Sequence, residues 1–334
     1  MGTAMNDSSY DYDYDNEICE KGDVVKFGSI VVPVFFFVVV TLSLVGNILV
    51  LVILALYENL KSLSNIFIFN LALSDLVFTS GLPFWAVYDI WGWLIHEIFC
   101  KVITFVFFIG FYSSVLFLTA MTIYRYLTVV RPLSDLRPQN TSAGVFISIV
   151  LWIISVGAAV PSLLFSTVIS IPQEDHHSLG CEYADVLWEK VAVCQQNIFF
   201  LVALVVMAFC YCKILWRMTR SRSHIKSRAV KLVFCIVAVF FLGWVPYNVV
   251  IFLRLLSDNL VPPFEECNIS IRLDYAFYVC RLLAFSHCCL NPVFYALVGV
   301  KFWGHLKTMF RRPSPGETTQ QGRKQNFISQ GSMY

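Results

Sequence analysis

The chain has 334 residues, 58% of them hydrophobic and 14% charged, with a net charge of +2 and a mean hydropathy of +0.70. Soluble globular domains carry about a quarter charged residues. A water-soluble enzyme or a basic nucleic-acid-binding domain is therefore excluded, and a protein with several membrane spans is indicated.

Residues 1–27 open the chain as a polar tail with alternating acids and tyrosines, DSSYDYDYDNE, too poor in apolar side chains to fold alone. Asn6-Asp7-Ser8 within it is a glycosylation acceptor. The tail has no basic and apolar signal segment, so the first span is expected to do the targeting. Seven apolar stretches follow, at 28–56, 64–88, 98–128, 144–168, 192–216, 229–256 and 272–299, each near the length of about 20 residues that a spanning helix needs. Residues 301–312, KFWGHLKTMFRR, place apolar and basic side chains on opposite faces and read as a short interfacial helix. Residues 313–334 are expected to be a disordered tail. The predicted fold is an all-α membrane protein, a seven-transmembrane helix bundle with a short amphipathic eighth helix.

Charge orients the bundle. The tail and the 2–3, 4–5 and 6–7 connections, with the adjoining helix ends, hold 18 of the 22 acidic residues and 7 of the 24 basic ones. Lys and Arg stay cytoplasmic, so the N-terminus is outside and the C-terminus inside. Among the eleven cysteines there is no C-x-x-C pair, and most lie in apolar runs as small core residues. Cys19, Cys100, Cys181 and Cys267 fall on the oxidising side, where they can pair in three ways. Cys100 tops the third helix and Cys181 sits in the long outer loop. That placement favours their pairing, and Cys19 to Cys267 would then tie the tail to the seventh helix. Asn268-Ile269-Ser270 is a second acceptor sequence on the outer side.

Ionisable groups at membrane depth mark function or a hydrogen-bonded hub. Asp75 is the only carboxylate well inside a helix, with Asn47 and Asn291 as candidate neighbours. Arg125 closes the third helix within Tyr124-Arg125-Tyr126. Pro83, Pro161, Pro246 and Pro292 each remove a backbone bond and permit a kink. Arg281 lies ten residues before Asn291, about 15 Å outward along a helix. It is expected to snorkel, to pair with a loop acid such as Glu182, or to receive an acidic or carbonyl group of a ligand, since no acid of the second or third helix is an obvious partner. A transporter would show repeats or several charges along a path, and neither is present.

The ordered set Asn47, Asp75, Cys100, Arg125, Trp152, Trp244-x-Pro246 and Asn291-Pro292-x-x-Tyr295 resembles the rhodopsin-like G-protein-coupled receptors. SHCCLNPVFYALVGVKF, LPFWA, the acidic tyrosine tail and the Cys19/Cys267 pair are similar to the chemokine receptors. YRYLTVVRPLSDLR, FCYCKIL, AFSHCCLNP and VGVKF are most similar to the XC (lymphotactin) branch. Four positions depart from the common pattern: Tyr124 stands where an acid is usual, Ala203 for the helix-five proline, Gly81 for the threonine of Thr-x-Pro, and Arg281 for an acid in the upper seventh helix.

The resemblance implies a plasma-membrane receptor rather than an enzyme, with an extracellular chemokine as ligand. Its inner partners would be a heterotrimeric G protein of the inhibitory class, arrestin and receptor kinases. Tyr10, Tyr12 and Tyr14 in the acidic tail would capture a basic chemokine body, and the ligand's N-terminus would enter near Trp85, Phe107, Tyr247 and Arg281. Arg125, Tyr211, Trp244, Pro246, Asn291, Pro292 and Tyr295 would form the switch, and Asp75, Ser114 and Asn291 would hold an allosteric sodium ion. The alternative, raised by Tyr124, is a decoy receptor that internalises ligand without G-protein coupling.

Overall fold

In lipid a backbone polar group has no water to bond, so a spanning segment must satisfy itself as a helix. The computed structural model, which describes residues 19–58, 60, 62–130, 141–171, 178–220, 227–264 and 266–298, follows that rule. Its elements are α1 (Gly22–Tyr57), α2 (Leu63–Trp91), α3 (Glu97–Val130), α4 (Thr141–Phe165), β1 (Ser166–Ile171), β2 (Ser178–Tyr183), α5 (Val186–Arg220), α6 (Ser227–Asp258), α7 (Cys267–Phe285) and α8 (His287–Val298). Seven spans result, because α7 and α8 are two halves of one crossing, Cys267–Tyr295. The interfacial helix expected at 301–312, like the tail beyond it, lies outside the described residues.

Hydroxyls inside the spans are mostly closed on the helix's own backbone. Thr104, Thr122, Ser148 and Ser155 each donate to the carbonyl four residues earlier, at 2.7–2.9 Å. Few polar groups then remain to be matched between helices, and packing decides the rest. α3 is the most enclosed span, with 61% of its apolar window buried against 22% for α4. Gly110 is what lets α3 approach α2: a Cβ there would stand 2.5 Å from the backbone nitrogen of Phe78.

Boundaries moved where outer contacts extend the helices. α1 starts at Gly22, inside the stretch expected as free tail to residue 27. Lys21 Nζ reaches Asp274 at 2.8 Å and Ser270 Oγ at 2.7 Å, and Phe27 meets Tyr275 edge-on at 5.4 Å. α4 stops at Phe165 instead of 168, because the β-branched run after it turns into β1. This strand pairs antiparallel with β2, Val168 opposite Cys181. The expectation of helices and loops alone did not include this hairpin.

The seventh crossing is interrupted at Ser286, where the Cys289 N–H bonds a carbonyl three residues back at 3.1 Å, and Pro292 leaves a second gap just beyond, inside α8. A proline cannot donate to the carbonyl four residues back, here that of Cys288. That oxygen instead accepts from Asn47 Nδ2 at 2.8 Å and Ser43 Oγ at 3.3 Å, both on α1. The missing bond is thus replaced by an interhelical one, and α8 is fastened to α1.

Candidate functional site

Two disulfides frame the outer mouth. Cys100–Cys181 pins β2 to the top of α3, and Cys19–Cys267 joins the start of the described chain to α7, with Cα separations of 5.6 and 5.5 Å. Of the three pairings open to these cysteines, the topologically favoured one is present. Asn268 is exposed in the first turn of α7, while Asn6 and the tyrosines Tyr10, Tyr12 and Tyr14 lie outside the described residues.

Beneath the hairpin is a cavity of about 370 Å³. Trp85 of α2, Phe107 of α3, Tyr247 of α6 and Arg281 of α7, the residues that the resemblance places at the ligand's entry, all line it. The environment of Arg281 differs from expectation. Its Nη2 donates to Asp89 Oδ2 of α2 at 2.5 Å, with both side chains less than a tenth exposed. The rings of Phe36, Phe277 and Tyr278 stand 5.3–5.5 Å from the guanidinium carbon. Glu182, the loop acid considered for it, accepts from Tyr88 Oη at 2.8 Å.

Sequence reasoning missed Asp89, yet a signal existed. Asn291 Nδ2 donates to Asp75 Oδ2 at 2.7 Å, so these two residues set a common depth. Counting outward from them by 1.5 Å per residue puts Arg281 at about 15 Å and Asp89 at about 21 Å. An arginine side chain can cover that difference.

The second basic group of the cavity is also matched. Arg254 Nε lies 2.9 Å from Asp274 and its guanidinium 4.2 Å from the Phe277 ring centre. Glu182, Glu189 and Asp258 line the same cavity. With Asp89, four lining acids face two lining arginines, which leaves the mouth negative. A ligand segment carrying a cation is favoured there, and an acidic one is opposed.

The cavity floor leads inward through aromatic rings. Phe107 meets Phe285 at 5.2 Å, Phe285 meets Trp244 at 5.8 Å, and Trp244 meets Phe111 at 4.4 Å. Trp244 is 1% exposed and its indole nitrogen has no hydrogen-bond partner. It stands two residues before Pro246, where α6 lacks a backbone donor.

Below Trp244 is the Asp75 cluster. The carboxylate is wholly buried and accepts from Ser114 Oγ at 3.3 Å as well as from Asn291. The nearest basic group is His287 Nε2 at 3.8 Å, itself buried and unpartnered. A carboxylate held by neutral donors, beside hydroxyl oxygens, suits a hard monovalent cation, so these residues fit sodium.

At the inner end, Arg125 Nη2 donates to Ser64 Oγ at 2.8 Å. The hydroxyls of Tyr211 and Tyr295 are buried without partners. The residues that the resemblance names as a switch therefore lie at several depths between the cavity and the inner end of the bundle, and do not form a single site.

The profile of the family described as 7 transmembrane receptor (rhodopsin family) matches residues 46–295. Chemokine XC receptor 1 of Homo sapiens is 43% identical over 311 residues, covering 93% of this chain and 90% of the relative. The protein of that name from Mus musculus is 42% identical, covering 92% of each chain. CX3C chemokine receptor 1 of Rattus norvegicus is 37% identical over 308 residues, covering 91% of this chain and 85% of its own length.

Proposed function

This chain belongs to the rhodopsin family of seven-transmembrane receptors and, within it, to the chemokine receptors of the plasma membrane, and we propose that its ligand is an XC-type (lymphotactin) chemokine. The response is exchange of nucleotide on heterotrimeric G proteins of the inhibitory class, leading to calcium release and chemotaxis. Similarity to the XC receptors over nine-tenths of the chain supports the ligand class.

The observation that carries the signalling reading is the unbroken aromatic path from the cavity to Trp244. A ligand binding at the mouth can shift a two-state bundle only if its contacts differ between the states. Side chains packed from Phe107 through Phe285 onto Trp244 give such a difference a physical route. The acidic tail with Tyr10, Tyr12 and Tyr14 captures the basic body of the chemokine. Because the mouth is negative, the entering segment presents a cation to Glu182, Glu189 and Asp258, and Arg281 holds the wall rather than the ligand. Sodium, held by Asp75, Ser114 and Asn291, stabilises the resting bundle by neutralising the buried carboxylate.

Labelled lymphotactin-type chemokine should bind membranes carrying the chain and stimulate nucleotide exchange on an inhibitory-class G protein. Replacing Tyr10, Tyr12 and Tyr14 with phenylalanine should slow association, and salt should slow it further. Binding and internalisation without exchange would overturn the signalling reading and leave the decoy alternative.

A further inference from the structure

We infer that Ser64, at the inner end of α2, is the positioning residue that holds Arg125 in its resting place. This role rests on the chain being a G-protein-coupled switch, as proposed above. Arg125 lies five residues before the end of α3, where a guanidinium needs an acceptor whenever no G protein supplies one. The preceding residue, Tyr124, has no carboxylate to offer. Among the described residues no ion pair reaches Arg125. The Ser64 hydroxyl does reach it, accepting from Nη2 at 2.8 Å.

The start of α2 is built to receive this pair of residues. Ser64 is the second residue of the helix, and Phe67, three positions on, shares its face. Phe67 is 2% exposed and meets the Tyr124 ring edge-on, with centroids 6.3 Å apart. The Tyr124 ring in turn stands 5.7 Å from the Arg125 guanidinium carbon. One turn of α2 thus holds Tyr124 by an aromatic contact and Arg125 by a hydrogen bond.

A hydroxyl is a weaker hold than a carboxylate, which takes guanidinium through two charge-assisted bonds. Arg125 Nε is buried and has no partner, so the grip at Ser64 is through one nitrogen. Release breaks a single bond to a neutral oxygen. The unpartnered hydroxyl of Tyr211, on α5 beside Arg125, is a further acceptor for an arginine that has left Ser64. The resting restraint is therefore low and depends on one side-chain oxygen.

The test uses the full chain in lipid nanodiscs with an environment-sensitive fluorophore on the inner end of α6. Without ligand, Ser64→Ala should shift the emission toward the open state and raise basal nucleotide exchange about fivefold, or about 1 kcal/mol at 1.4 kcal/mol per tenfold. Ser64→Thr keeps the hydroxyl and should match the parent. Ser64→Asp supplies a carboxylate and should lower basal exchange below the parent, a gain of restraint that a misfolded protein cannot produce. The inference is overturned if Ser64→Ala emits like the parent, if Ala and Thr variants shift equally, or if Ser64→Asp leaves basal exchange unchanged while the parent shows it. Emission shifts without exchange in any variant, the parent included, would sink the coupling reading and keep the restraint.

Discussion

Breaking the Asp89–Arg281 pair one partner at a time should be far more damaging than removing both. At charge centres about 4 Å apart, the attraction is about 4 kcal/mol at an effective dielectric constant of about 20. The side chains are 7% and 8% exposed, so water does little to replace a lost partner. Losing one member of a buried pair costs about 3–5 kcal/mol, whereas exchanging both for apolar residues is often neutral. The surroundings make the two single variants unequal. The faces of Phe36, Phe277 and Tyr278 attract the guanidinium, each worth about 0.5–2 kcal/mol, and repel a carboxylate. Arg281→Met should therefore destabilise more than Asp89→Leu, and the double variant should recover most of the loss. Thermal unfolding in nanodiscs can follow a thiol-reactive dye entering at Cys210, Cys288 and Cys289, which are buried and free in the fold. Single-variant losses that simply add in the double variant would show that the pair carries no coupling energy. By the same reasoning, Arg281→Glu sets two carboxylates against each other in one buried site and should reduce surface expression.

Three further outcomes are expected. Replacing Cys100 or Cys181 by alanine should abolish ligand binding by freeing β2 from α3, while loss of Cys19 or Cys267 should weaken binding only in part; both are read by surface staining and saturation binding. Raising sodium should lower agonist affinity in the parent and not in Asp75→Asn, and equal sensitivity in both would remove the ion from the Asp75 cluster. Gly110→Ala should destabilise by about 1–3 kcal/mol, because the new methyl would meet the Phe78 backbone rather than a movable side chain; a variant as thermostable as the parent would show that α2 and α3 can separate at no cost.

Much of the bundle was legible because lipid imposes one strong rule, and hydropathy reports it directly. Asn291 was legible as a partner of Asp75 because a lone buried carboxylate must find donors, whereas Ser114 came only from the resemblance, and Asn47, the other candidate, bonds the Cys288 carbonyl instead. Asp89 was not legible, since it follows Trp85 and Tyr88 near the end of α2 and there reads as a rim residue in contact with water. Its partner emerges only when depth is counted on two helices from a shared origin. β1 was misread for a different cause: Phe165-Ser-Thr-Val-Ile-Ser-Ile continues the apolar run of α4, and only β-branching and the later pairing with β2 argue for a strand. Ser64 carries no signal at all, because a serine in the first turn of a helix is an ordinary occurrence.

The clamp at the outer rim has a mechanical consequence. Cys19–Cys267 hoops the first crossing to the last, and Asp274 bonds both Lys21 before α1 and Arg254 near the outer end of α6. A ring fastened in this way cannot widen much at its own level. A tilt of α6 must then pivot close to the fastening, and the lever arm runs from Arg254 back to Ser227, about 40 Å at 1.5 Å per residue. Rotation by about 10° about such a pivot leaves the rim almost still and carries the cytoplasmic end sideways by about 7 Å. The same fastening that keeps the mouth in shape would thus turn any tilt of α6 into a displacement on the far side of the membrane.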